Sequence, residues 1–283
     1  IEGKFSENNK EYQYLGKNAD SNILIVNSDY KRVDFQDSYF YFNKNINYNH
    51  DKAKKEFNIF QTKPGARAYF YQGTLKDISI NFYGIESLID EIPKNYPLDE
   101  RGLTGCLSLV NLNVENINIK SNNSNCEDSV NLINVKGNID FININNSSSD
   151  GLDIDFSDVK INSANIFLSG NDCVDFSAGT YLIDKLNLGN CGDKALSVGE
   201  NSFLTLNEIT AINSDIGIAS KDSSITKLNN AFLDNLQTCV SAYNKKQEFH
   251  GGFLKIQNLD CKNFNTKAYV DNNSKISIFK EVN

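Results

Sequence analysis

The fold is decided by six evenly spaced segments: Asp128-Ser-Val-Asn-Leu, Asp150-Gly-Leu-Asp-Ile, Asp172-Cys-Val-Asp-Phe, Lys194-Ala-Leu-Ser-Val, Ile216-Gly-Ile-Ala-Ser and Thr238-Cys-Val-Ser-Ala. Their first residues lie 22 positions apart, and Gly105-Cys-Leu-Ser-Leu fits one repeat earlier with one extra residue. In each segment the second residue is small, the third is aliphatic and the fourth is polar or small. This pattern places the alternation of a β-strand inside a longer repeat.

A repeat of this length predicts a stack of coils with about three short strands each. No coil buries its inward side chains alone, so equivalent residues of successive coils form ladders. We expect one buried ladder at the third position of the segments: Val130, Leu152, Val174, Leu196, Ile218 and Val240. Two further ladders are predicted: Ile139, Ile161 and Ile183, and then Ile144, Ile166, Leu188, Thr210 and Phe232.

The coils that include 149–155, 170–177, 192–200 and 215–222 resemble the right-handed parallel β-helix (pectate-lyase-like) superfamily. The resemblance extends over about residues 100–283. It implies an all-β solenoid with about 22 residues per coil. We therefore expect a single domain over 1–283, with regular coils in 105–283 and an irregular N-terminal cap with early coils in 1–104.

The region before residue 105 is less regular, although it is rich in Tyr and Phe. Aromatic and β-branched residues there predict strands at Ser21–Val26, Arg32–Asn43, Ala68–Gln72 and Ile78–Tyr83. We expect a short helix at His50–Phe60, a loop at Ile85–Gly105 and a second, protruding loop at Tyr243–Gly252.

The six cysteines form three pairs in the sequence: Cys106 with Cys126, Cys173 with Cys191, and Cys239 with Cys261. Each separation is close to one coil, so both members of a pair could come within disulfide distance. Disulfides would indicate an oxidising compartment, and hence an extracellular, cell-surface or periplasmic protein. Buried thiols in a core ladder remain the alternative. No Cys-x-x-Cys or Cys/His cluster indicates zinc.

Charge and hydropathy limit the classes of partner. The chain has 283 residues and a net charge of -8, which argues against duplex nucleic acid and against an anionic membrane surface. No run of 18 apolar residues predicts a spanning helix, so membrane insertion is not expected. The oligomeric state is not predicted.

The carboxylates are the best candidates for chemistry, because only two histidines exist and neither lies in a recognisable catalytic context. Stacked carboxylates repel, so one of them should have a raised pKa, as a general acid requires. The predicted catalytic residues are Asp150, Asp172, Asp175 and Lys221, and the predicted substrate-binding residues are Asp153, Asn171, Asp193 and Lys194. Two alternatives stay open: these residues cap the turns of the coils, or they bind Ca²⁺; no other cofactor is expected.

Within the superfamily, part of this set resembles motifs of the polygalacturonase family. Ser148–Gly151 is similar to its Asn-Thr-Asp-Gly segment, and Gly170–Cys173 is similar to its Gly-Asp-Asp-Cys segment, with Asn171 in place of one catalytic Asp. Asp193–Ala195 lacks the family's His, and Ala219–Lys221 keeps only the Lys of its Arg-Ile-Lys segment. The resemblance implies a face that handles sugars.

Two functional hypotheses follow from these patterns. The first is a secreted or cell-surface β-helix that binds or cleaves an extracellular polysaccharide through an Asp-rich face. A long stacked face suits a long polymer, since each coil offers one polar contact. The second is a non-catalytic surface module such as a stalk, an adhesin part or a matrix protein, which the missing His and Arg favour.

Overall fold

The computed structural model describes residues 3–7, 10–14, 30–85 and 97–281. Within these ranges the chain forms strands joined by turns, bends and loops, without a helix, and it winds into a β-solenoid of about 10 turns. The turns lie about 22 residues apart and pair in parallel, which confirms the all-β, parallel β-helix prediction. No helix in the described ranges is long and apolar enough to cross a membrane.

The N-terminal strands include antiparallel hairpins. Strands β1 (Gly3–Glu7) and β2 (Lys10–Tyr14) form a separate two-stranded sheet, and all later strands belong to one 18-stranded sheet. Its first members are β3 (Tyr30–Phe35), β4 (Asp37–Asn43), β5 (Ile46–Asp51), β6 (Glu56–Gln61), β7 (Ala68–Lys76) and β8 (Ser79–Tyr83). The pairs β3–β4, β4–β7 and β5–β6 are antiparallel, whereas β6–β8 is parallel.

The predicted helix at His50–Phe60 is wrong. This stretch is the β5–β6 hairpin, whose turn is held by Asp51, because its Oδ1 accepts hydrogen bonds from the backbone N–H groups of Ala53 and Lys54. Phe57 and Ile59 are buried at alternate positions, which is the period of a strand. Arg32–Asn43 is likewise two strands with a turn at Gln36, while Ser21–Val26 lies outside the described residues.

The regular coils begin at β9, although parallel pairing already joins β6 to β8 and β7 to β9. Short strands alternate with long ones: β9 (Gly105–Val110), β10 (Asn113–Ser124), β11 (Asp128–Ile133), β12 (Lys136–Ser147), β13 (Asp150–Asp155), β14 (Asp158–Ser169) and β15 (Val174–Ser177). Later strands run around almost a whole coil: β16 (Thr180–Gly199), β17 (Phe203–Lys221), β18 (Ile225–Tyr243) and β19 (Phe253–Val270); the last strand is β20 (Lys275–Glu281).

The predicted core ladders lie inside the stack. All six residues of the first ladder are fully buried and pair with one another in register from coil to coil. The third ladder is wrong at its last two positions, because Leu188 pairs with Ala211, which pairs with Leu233, rather than with Thr210 and Phe232. One extra residue in the corner between Gly199 and Phe203 shifts this part of the coil by one position.

Asparagine shapes the corners of the coils, as its abundance and its preference for turns lead one to expect. One corner repeats a left-handed residue in almost every coil: Asn123, Asn146, Leu168, Asn190, Asn213, Asn235 and Asn263. A second corner also repeats a residue in the left-handed conformation: Asn111, Asn134, Phe156, Ala178, Glu200 and Asp222. Stacked amides bond along these corners, for example from Asn146 Nδ2 to Asn123 Oδ1 at 2.7 Å.

The three predicted cysteine pairs are at disulfide distance. The Cα atoms are 5.3 Å apart in Cys106–Cys126, 5.4 Å in Cys173–Cys191 and 6.4 Å in Cys239–Cys261. Five of these cysteines are buried among the core residues, and Cys261 is partly buried against them. The pairs indicate an oxidising, extracellular environment.

Candidate functional site

The predicted site residues lie along one side of the stack, which we call the acidic face; Asp172, Lys194 and Lys221 are buried there, and the others are partly exposed. It is formed by β11, β13, β15 and the matching ends of β16 and β17. A first column contains Asp128, Asp150, Asp172 and Lys194; a second contains Asn131, Asp153, Asp175 and Ser197; a third contains Asp155, Ser177, Gly199 and Lys221. Asn171 and Asp193 precede the first column and lie at its edge.

The first column caps the coils. Asp150 Oδ1 accepts hydrogen bonds from the backbone N–H of Asp172 at 2.9 Å and from Asn171 Nδ2 at 2.7 Å. Asp172 Oδ1 accepts the backbone N–H of Lys194 at 2.9 Å in the same way. Each carboxylate therefore satisfies the turn of the following coil, which is the structural role that the sequence left open for Asp150 and Asp172.

Lys194 is held between two carboxylates. Its Nζ lies 3.3 Å from Asp172 Oδ1 and also donates to Asp193 Oδ2. Asp172 and Lys194 are buried, whereas the Asp193 side chain is exposed. Burial opposes the charge on Lys194, but Asp172 and Asp193 raise its pKa above the ordinary value. This lysine is a fixed positive charge at physiological pH.

Lys221 forms a second, longer-range pair. Its Nζ lies 3.5 Å from Asp175 Oδ2, two coils away. The aliphatic stem crosses Gly199, where an added Cβ would lie only 2.8 Å from Lys221 Cε. The absence of a side chain at Gly199 thus allows the lysine to lie flat against the sheet. Asp175 Oδ1 is buried without a hydrogen-bond partner among the described residues.

A third group joins Asp153 and Asp155 through an amide. Asn131 Nδ2 donates to Asp153 Oδ2 at 3.1 Å and to Asp155 Oδ2 at 3.2 Å. Burial, and then the charges of Asp128 and its neighbours, raise the pKa of Asp153 well above its ordinary value. Burial also raises the pKa of Asp155, although hydrogen bonds from Asn131 and Asp153 oppose the shift. Asp153 is therefore the best candidate for a carboxyl that keeps its proton.

Three further carboxyls of the face have a pKa raised by burial. Burial raises the pKa of Asp150 to about 6, and it raises the pKa of Asp128 as well. The pKa of Asp172 is raised by burial against the opposing charge of Lys194. The face thus combines carboxyls whose pKa is raised with the side chains of Lys194 and Lys221, which provides both hydrogen-bond donors and acceptors.

Sequence reasoning missed three members of this site: Asp128, Asn131 and Asp155. The repeat itself could have indicated two of them. Asn131 pairs with Asp153 one coil later, and Asp155 lies two residues after Asp153, on the same side of the strand. What the repeat does not show is that one amide bonds both carboxyls.

Other sequence candidates lie elsewhere. His50 packs in the cap with its ring centroid 4.8 Å from that of Phe35, and His250 is exposed in the loop after β18. Within the described ranges no group of three or more His, Cys, Asp or Glu side chains is arranged to hold a metal ion.

Comparison of the chain with protein-family models, with curated proteins and with solved structures finds no match.

Proposed function

We propose that this protein is an extracellular β-helix, related to the pectate-lyase-like superfamily, that binds a polysaccharide along its acidic face. The observation that carries the proposal is the group formed by Asp153, Asp175 and Lys221. Asp153, whose pKa is raised by burial, pairs with Asp175 on the next coil, about 4.8 Å away, and Lys221 reaches Asp175 from two coils further along the stack. Sugar hydroxyls both donate and accept hydrogen bonds, so a face with both kinds of group suits them.

We further propose that the acidic face cleaves the polysaccharide that it binds. In the acid–base arrangement of glycosidases, a protonated carboxyl acts as the acid and an ionised carboxylate as the base or nucleophile. Asp153 would supply the acid, and Asp175, next to Lys221, would supply the base. Asp150 and Asp172 are less suited to catalysis, because their Oδ1 atoms already accept hydrogen bonds from the turns.

The test is a panel of neutral and acidic polysaccharides, measured for affinity, reducing ends and unsaturated products. Asp175→Asn and Lys221→Gln should abolish binding or turnover while leaving the fold intact. The matched control is Asp158→Asn, which removes an exposed carboxylate from a different face. Absence of binding to every polysaccharide, or equal binding by all variants, would show that the acidic face has no such role.

The second candidate function is a non-catalytic surface module. The capping hydrogen bonds of Asp150 and Asp172 favour it, because they assign these carboxylates to the scaffold. If Asp172→Asn lowers the free energy of unfolding and the wild-type protein binds no polysaccharide, this second function is the correct one.

A further inference from the structure

Another outward surface lies beyond the corner that follows the acidic face. Pairing in register aligns the first residues of the later coils into one column, in the order Phe203, Ile225, Phe253 and Lys275. The neighbouring outward column contains Lys227 and Lys255, which also pair with each other. We call these six side chains the aromatic–lysine strip.

The rings of this strip have no role in the core. Phe203 is 52% exposed and Phe253 is 46% exposed, while the residue that follows each of them, Leu204 or Leu254, points inward and is buried. An outward position of a half-buried strand usually carries a polar residue. Aligned exposed rings on such a face commonly mark an interaction surface.

The lysines of the strip are not neutralised by the protein. Within the described residues Lys227, Lys255 and Lys275 form no ion pair, although the chain as a whole has a net charge of -8; Lys255 Nζ lies 4.9 Å from the centroid of the exposed Phe279 ring. By contrast, Lys185, on the same side of the stack, is paired with Glu208 at 2.7 Å. The strip therefore presents concentrated, solvent-exposed positive charge next to aromatic rings.

We propose that the aromatic–lysine strip binds an extended anionic polysaccharide that runs parallel to the axis of the stack. Successive coils advance by about 4.8 Å, close to the length of one sugar in an extended glycan. Phe203 and Phe253 lie two coils apart, so each ring can stack on the C–H face of an alternate sugar. Lys227 and Lys255 then meet carboxylate or sulfate groups of the chain.

The arrangement fits a glycan better than a single-stranded nucleic acid. Nucleic-acid platforms stack successive bases on aromatic rings inside a positively charged groove. Here the surface is an open sheet face, and Ile225 stands between the two rings. The proposal is independent of the acidic face, since it uses different residues and an anionic ligand.

The experiment measures the Kd of the protein for carboxymethylcellulose and for hydroxyethylcellulose, which share an extended backbone but differ in charge. Carboxymethylcellulose should bind, and its affinity should fall as salt is added. Phe203→Thr/Phe253→Thr and Lys227→Gln/Lys255→Gln should each raise the Kd about tenfold or more. Thermal unfolding of every variant confirms that the fold is retained.

Two matched controls should leave this Kd unchanged. Lys160→Gln removes an exposed lysine from the Lys227 column, three coils earlier, and Phe232→Thr removes a ring that is 44% exposed on another face.

Three outcomes would overturn the proposal. The first is that neither carboxymethylcellulose nor chondroitin sulfate binds. The second is binding that the strip variants do not weaken. The third is tighter binding of oligo-dT or of phosphatidylserine vesicles than of either anionic glycan.

Discussion

At the scale of single residues, the corners show how strongly the coil depends on backbone conformation. Asn occupies six of the seven left-handed positions in the first corner, because its short amide bonds locally and tolerates that conformation. Leu168 is the exception in its column: its φ is 61°, its side chain is 49% exposed, and it stands between Asn146 and Asn190. The Leu has neither the conformational tolerance nor the amide, so this corner is strained.

Leu168→Asn should therefore stabilise the protein. An Asn removes a left-handed penalty of about 1–2 kcal/mol and restores the amide ladder, so we expect the free energy of unfolding to rise by about 1 kcal/mol. Urea denaturation checks this as a higher midpoint with an unchanged m-value. The control is Leu182→Asn, which changes an equally exposed Leu in an ordinary strand position and should bring no gain. An unchanged or lower midpoint for Leu168→Asn would contradict the assignment of strain.

At the scale of elements, the loop after β18 breaks the 22-residue spacing as predicted, since Ile225 pairs with Phe253, and its backbone is anchored to the neighbouring corner. The carboxylate of Asp222 is buried, and its Oδ1 accepts the backbone N–H groups of Lys245 at 2.6 Å and Lys246 at 2.8 Å. The backbone N–H of His250 donates to Ser223 Oγ at 2.8 Å. The loop is thus hydrogen-bonded to the stack, while several of its residues are exposed.

Removal of this anchor should destabilise the loop and the coil below it. Asp222→Ala leaves two N–H groups without their acceptor, and we expect a loss of about 1–3 kcal/mol in the free energy of unfolding. Asp222→Asn keeps an Oδ1 and suits the left-handed φ of 53°, so its loss should be smaller. Thermal and urea unfolding of both variants measure the difference. Equal stability of Asp222→Ala and wild type would mean that the loop does not depend on these bonds.

At the scale of the whole molecule, the buried carboxyls couple stability to pH. Five of them have a pKa raised by burial: Asp128, Asp150, Asp153, Asp155 and Asp172. The folded protein therefore keeps protons that the unfolded chain releases above its ordinary carboxyl pKa. Stability is then greatest at low pH and decreases as pH rises through the raised values.

We expect a larger free energy of unfolding near pH 5 than near pH 8. Each unit by which folding raises a carboxyl pKa corresponds to about 1.4 kcal/mol. For Asp150, the stabilisation is lost as the pH rises from the ordinary pKa of 3.8 to the raised pKa of about 6. Asp150→Asn should therefore flatten the dependence of the free energy of unfolding on pH in that range. Asp184→Asn, on another face, is the control. Denaturation at a series of pH values tests this, and stability that increases from pH 5 to pH 8 would contradict it.

The sequence by itself determined the architecture, because a strict 22-residue spacing with period-2 alternation leaves only stacked parallel coils as a way to bury the aliphatic ladder. It also determined the cysteine pairs, since members one coil apart meet when the coils stack. These features repeat locally, so they can be read without knowledge of distant contacts.

Only the tertiary structure decided the partners of the charged groups. Lys221 reaches Asp175, 46 residues away, because Gly199 leaves room for its stem, and the repeat contains no sign of that contact. The extra corner residue before Phe203, which shifts Ala211 and Leu233 into the core, is likewise visible only once coils are paired. Side-chain contacts between non-adjacent coils depend on the shape and conformation of every residue between them, and a repeat pattern specifies neither.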